Sequence, residues 1–218
     1  SATMLFVSMR MSKLGGAQRK FSEEAVPTPA SSQSRRRNFR KRSAIPRIAL
    51  IPLDDRPCNF KFPRQIMAMA GHDLILPPKK YLGRFRRPGR PETILKWLAR
   101  EAPRLDAVIV SVDMFAYGGL VASRDPQTPL AFAQRRLSAL KLIRRKNPHL
   151  TIYLFNSIMR LSITAATDND RDNWAKIFEY SQIENAAKRE RFGRQIPSDV
   201  LKKYLAARKR NHQVNRTA

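Results

Sequence analysis

Three short stretches of this chain hold the side chains that chemistry requires: Asp54-Asp55-Arg56-Pro57-Cys58-Asn59, Asp113 through Tyr117-Gly118-Gly119 to Ser123-Arg124, and Asn156-Ser157 with Arg160. Asp54, Asp55 and Asp113 have the groups of a general acid, a general base or a nucleophile. Arg56, Asn59, Tyr117, Ser123, Arg124, Asn156 and Arg160 are donors suited to orienting a polyhydroxylated or anionic substrate. Gly118 and Gly119 allow a ligand or another backbone to approach closely. The same oxygens could hold a hard cation. The competing reading is local: Asp54 or Asp55 pairs with Arg56 or caps the following turn, and Asp113 caps a loop.

Each stretch follows a run that reads as a strand buried on both faces, as in parallel sheets. The runs are Ile48-Ala49-Leu50-Ile51-Pro52-Leu53, Asp106 to Val112, and Leu150 to Phe155, with Asp73 to Leu76 a further candidate. Between them lie helical patterns: Arg64 to Ala70 ahead of Gly71, a stripe of Ile94, Leu95, Trp97 and Leu98 after Pro91, and Leu130 to Lys146 behind Thr128 and Pro129. Asp168 to Phe192 reads as one helix and Ser198 to Lys209 as another. Strands alternating with helices predict an α/β fold, a parallel sheet of repeated strand-helix units that is open or an incomplete barrel. In such folds ligands bind at the carboxyl ends of the strands, where all three polar stretches fall.

The net charge of +26 raises nucleic acid as a partner, since Lys and Arg gain affinity by releasing phosphate counterions. Most of the excess, however, sits in the two ends, residues 1–47 and 188–218. Residues 1–46 mix Ser, Pro, Gly and Arg and are expected to form a disordered basic extension ahead of a domain spanning 47–218. The loop Lys79 to Arg90, with Tyr81 and Phe85 among its cations, could bind phosphates or stack on bases, but reads first as a solvated loop. One cysteine, Cys58, excludes an internal disulfide and a cysteine metal cluster, and it reads as a small buried side chain. His72, His149 and His212 lack ligand spacing, and Gly118-Gly119 has the spacing of neither a dinucleotide fingerprint nor a phosphate loop. No metal and no cofactor are therefore expected. No apolar run approaches the length of a membrane span, so a cytoplasmic protein without membrane contact is expected.

In their fuller forms the three stretches are Ile51-Pro52-Leu53-Asp54-Asp55-Arg56-Pro57-Cys58-Asn59, Val110 through Gly118-Gly119-Leu120-Val121-Ala122-Ser123-Arg124, and Ser157-Ile158-Met159-Arg160. They resemble the motifs of the bacterial domain-of-unknown-function 4127 family, from about Arg47 to the C-terminus. The resemblance implies longer chains, so that residues 47–218 would be the N-terminal part of a truncated domain. It implies no reaction. The residues themselves predict a hydrolase acting on a glycan-like or similar polar small molecule. The alternative is a non-catalytic binder of nucleic acid or other anionic partners through the basic segments.

Overall fold

The computed structural model describes residues 7–10, 45–165 and 167–218. Four strands form the parallel part of the sheet: β2 (Ile48–Ile51), β3 (Leu74–Ile75), β4 (Ala107–Ser111) and β5 (Thr151–Ser157). A fifth, β1 (Val7–Arg10), lies antiparallel on β5, giving the order β1-β5-β4-β2-β3. The sheet is open. Those four residues come from the segment read as a disordered extension; the rest of that reading falls mostly outside the described residues.

Alternation along the strands explains the layers. Ala49 and Ile51 lie in register with Val108 and Val110, all fully buried, whereas Ala107 and Ile109 between them are half-buried. The buried row packs on α2 (Pro91–Glu101) and α4 (Leu130–Lys146) through Ile94, Trp97, Leu98, Leu137 and Leu140. The chain steps from β2 to β3 in one direction and from β3 past β2 to β4 in the other. Right-handed crossovers therefore put α1 (Pro57–Met69) on the face opposite α2 and α4. The crevice between β2 and β4, where the winding reverses, is the topological switch point at which such sheets bind ligands.

Several boundaries differ from the expected ones, each for a local reason. Helix α1 starts at Pro57, which fills a first-turn position, and continues through Pro63. The polar stretch after β4 coils into α3 (Val112–Tyr117), because Ser111 Oγ accepts the Met114 N–H and Gly118 closes the helix at φ 95°. The expected helix over 168–192 is two: α5 (Asp168–Gln182) and α6 (Ala186–Gly193), the second capped afresh by Asn185, whose side chain accepts the Lys188 N–H. Helix α7 (Ser198–Thr217) runs past Lys209, since Ala207, Arg210, Asn211 and Val214 continue its buried stripe. It spans two cores, with Val214 in the main one and Tyr204 and Ala207 in a smaller one with Met159, Ile177 and Ile196. Among the described residues no helix is long and apolar enough to cross a membrane.

Candidate functional site

At the carboxyl ends of β2, β4 and β5 the chain encloses a cleft of about 1150 Å³. Asp54, Asp55 and Arg56 reach it from the end of β2, Gly118, Gly119 and Arg124 from the end of β4, and Arg160 from the end of β5. A more open hollow of about 730 Å³ beside α5 and α6 holds none of the strand-end residues.

The three candidate carboxylates have separate environments. Asp54 is nearly buried and fully engaged: Oδ2 takes Arg56 Nε at 2.9 Å and Nη2 at 2.7 Å, while Oδ1 takes the Asn59 amide at 2.6 Å and the Arg56 backbone N–H at 3.1 Å. Burial alone would raise its pKa, but the bonds from Arg56 and Asn59, with the Arg56 charge, outweigh burial and hold the carboxyl below its ordinary value. Such a carboxylate is a poor base and a good structural clamp. Asp55 is half-exposed at the cleft, with its N–H donated to the Gly83 carbonyl at 3.2 Å and its carboxylate in no hydrogen bond or ion pair with a described residue. Asp113 lies buried in the first turn of α3, outside the cleft lining, where Oδ2 accepts the Ser157 N–H at 2.9 Å and so ties β4 to β5. Desolvation raises its pKa despite the Ser157 hydrogen bond that opposes the shift.

The two buried carboxyls therefore act on stability with opposite sign. Asp54, depressed, contributes stability that is present above the unfolded carboxyl value and lost as pH falls through its folded value. Asp113, raised, is least costly below the unfolded value near 4, and its contribution declines as pH rises through its folded value. Asp113→Asn is accordingly expected to flatten the decline with rising pH, and Asp54→Asn to remove stability at neutral pH that reappears as equality with wild type in acid. Asp113→Ala, which orphans the buried Ser157 N–H, is expected to cost about 1–3 kcal/mol. Denaturant unfolding from pH 3 to 8 checks all three, and parallel pH profiles for wild type and Asp113→Asn would contradict the assignment.

The remaining predicted residues divide in the same way. Asn59 serves Asp54 rather than the cleft. Tyr117 is buried with its ring under the Arg210 guanidinium, 4.3 Å from centroid to carbon. Ser123 is buried and donates its hydroxyl to the Leu120 carbonyl at 2.8 Å. Asn156 is half-buried within β5 and lines no part of the cleft. Cys58, expected to be buried, is exposed on the first turn of α1. Among the described residues no group of three or more His, Cys, Asp or Glu side chains could hold a metal ion.

One wall of the cleft was not anticipated. The Lys79 to Arg90 segment keeps its cations in solvent, as a solvated loop does, but its backbone folds over the strand ends and presents Lys79, Lys80, Arg84 and Arg87 to the cleft. It is pinned through backbone atoms, with Gly89 N–H donating to the Gly118 carbonyl at 2.8 Å and Arg90 N–H to the Tyr81 carbonyl at 2.8 Å. Its tip is a tight reversal, Arg84 and Arg87 exchanging backbone hydrogen bonds of 2.9 and 3.0 Å, with exposed Phe85 at φ 50°. The glycines flanking the cations, Gly83 and Gly89, were the signal in the sequence that this loop approaches another backbone.

No curated protein and no solved structure matches the chain. A family model described as protein of unknown function (DUF4127) matches residues 48–218, which include all three strand-end stretches, the loop that roofs them and α7. The chain belongs to the DUF4127 family.

Proposed function

We propose that the cleft is the active site of a hydrolase acting on polar, negatively charged small molecules, with Asp55 as its acid-base group. The observation that supports this most is the composition of the lining: seven cations, Arg56, Lys79, Lys80, Arg84, Arg87, Arg124 and Arg160, surround two carboxylates, of which Asp54 is clamped by Arg56. A neutral glycan has no use for that field, whereas an anionic substrate is drawn in and held by it. Asp55 then has the freedom to take a proton from an attacking water and deliver it to the departing oxygen. Asp54 keeps Arg56 oriented, and Asp113 holds the β4 and β5 ends together behind the wall; both thus support the site without touching the substrate. A single cysteine, Cys58, supports a reducing, cytoplasmic setting for it.

Asp55→Asn is expected to lower turnover by about 10²-fold or more, the range of general acid-base catalysis. The assay is release of p-nitrophenol from p-nitrophenyl phosphate and from anionic and neutral p-nitrophenyl glycosides, with the variant's fold checked by circular dichroism. Turnover equal in wild type and Asp55→Asn sinks the reading. The exposed Phe85 among Arg84 and Arg87 favours one second reading, non-catalytic binding of single-stranded nucleic acid by stacking and charge. That reading predicts affinity for a labelled oligonucleotide that collapses steeply between 50 and 200 mM salt and is indifferent to Asp55→Asn.

A further inference from the structure

A guanidinium stays charged at any physiological pH, so one that is partly removed from water needs a counter-charge or a full set of acceptors. Arg56 has this through its double contact with Asp54. Arg124 and Arg160, both half-buried in the lining of the same cleft, do not. Neither makes an ion pair with a described residue. Arg124 Nη1 donates to Thr164 Oγ1 at 3.2 Å, and Arg160 donates to the Ile163 carbonyl while its buried Nε has no hydrogen-bond partner among the described residues. Burial first, and then the charges of Arg160 and Arg56, push the Arg124 guanidinium down to about 10 against the opposing pull of Asp113. Asp113 pulls on Arg124 from behind the lining but makes no ion pair with it: its Oδ2 is taken by the Ser157 N–H, and burial favours its protonated form.

Two like charges that face one cleft with donors to spare repel each other, and an anion that replaces the water there relieves that repulsion. We propose that Arg124 and Arg160, with the Thr164 hydroxyl, form a subsite for a phosphoryl group of the substrate. A carboxylate is planar and carries one charge, which a single arginine neutralises, as Arg56 does for Asp54. A phosphate monoester carries up to two charges and three free oxygens in a tetrahedral array, enough to meet two guanidiniums approaching from the ends of different strands. Its charge also matches the outer cations Lys79, Lys80, Arg84 and Arg87, which would guide it inward without binding it tightly. The inference rests on the cleft being a substrate site and adds the class of substrate.

The test is titration of the full chain with inorganic phosphate by calorimetry, with acetate at matched ionic strength as comparison. Arg124→Gln and Arg160→Gln are each expected to weaken phosphate binding roughly tenfold or more, the loss of one charge-assisted contact. Arg100→Gln, an equal change of net charge at an exposed position of α2, should leave it unchanged. A second measurement needs no variant: phenylglyoxal modification mapped by mass spectrometry, in which phosphate should protect Arg124 and Arg160. Equal affinity in wild type and both cleft variants, acetate binding as tightly as phosphate, or protection confined to Arg84 and Arg87 would each overturn the subsite. Asp55→Asn separates the two proposals. If it loses turnover while the arginine variants bind phosphate normally, only the subsite falls; if it keeps turnover while they lose phosphate, only the catalytic role of Asp55 falls.

Discussion

Gly83→Ala is expected to destabilise the chain by about 3 kcal/mol or more, the upper end of what overpacking costs. A Cβ at residue 83 would sit 2.4 Å from the Gly118 carbonyl oxygen and 3.1 Å from the Gly89 nitrogen. Both are backbone atoms, so no side chain can swing aside to make room. Gly118→Ala meets the loop at a different point, with 2.9 Å to the Gly89 nitrogen and 3.1 Å to its oxygen, and adds the cost of an L side chain at φ 95°. Gly71→Ala is the control: φ is +74° but nothing lies within 4 Å, so only the conformational cost of about 1 kcal/mol remains. At this chain length each kcal/mol shifts the melting temperature by about 2–4 °C, so Gly83→Ala should lower it by roughly 6–12 °C and Gly71→Ala by a few degrees. If the loop lifts off instead of the whole fold yielding, trypsin will cut within Lys79 to Arg90 far faster than in wild type. A Gly83→Ala chain with unaltered melting and unaltered cleavage would show that the loop is not seated on Gly118.

That contact decides the chemistry of the cleft as well as its stability. The loop supplies four of the seven lining cations, and Asp55 is itself held to it through the Gly83 carbonyl. Without the three-glycine seam the strand ends would form a shallow dish carrying Asp54, Asp55, Arg56, Arg124 and Arg160 alone. The roof therefore converts an ordinary switch-point crevice into a deep basic cleft.

How far the sequence foretold this follows from the kind of signal each feature leaves. Continuous apolar runs such as Ile48 to Leu53 mark buried parallel strands, and their polar sequels mark the side on which a site must lie, so the sheet and the convergence of Asp55, Arg124 and Arg160 were legible. The strand β1 was not, because Val7–Arg10 is a short segment in a basic, Ser- and Pro-rich context that argues for disorder. Neither was the division among the three aspartates. Asp54 and Asp55 are adjacent and identical in type, and only the turn geometry gives one of them to Arg56 and Asn59 and leaves the other at the cleft. The run of α7 past Lys209 depends on which residues meet a tertiary partner, which periodicity alone does not carry, and the break at Ile183 to Asn185 turns on a single cap, Asn185 accepting the Lys188 N–H.

Arg210→Met should cost about 1–3 kcal/mol, the penalty for leaving hydrogen-bond acceptors without their charged donor. Arg210, 6% exposed on α7, reaches across the molecule to the loop between Gly119 and α4. Its Nη1 donates to the carbonyls of Asp125 at 2.7 Å and Thr128 at 3.1 Å, its Nη2 to that of Ser123 at 2.6 Å, and Nε and Nη2 both bond Asn211 Oδ1. The guanidinium also covers the Tyr117 ring, so one side chain fastens the end of α3 and the loop that carries Arg124. Lysine is no substitute, since an ammonium cannot span three carbonyls and an aromatic face at once, and Arg210→Lys should recover less than half of the loss. The damage should also be uneven. The Ser123 carbonyl keeps a second donor in Asn211 Nδ2 at 2.8 Å, whereas no other side-chain donor reaches the Asp125 and Thr128 carbonyls among the described residues. Hydrogen exchange in Arg210→Met is therefore expected to quicken first around residues 125–129 and only later at 120–123. Urea unfolding reports the total, and a uniform rise in exchange along the whole loop would mean that Arg210 supports the fold at large and not this segment.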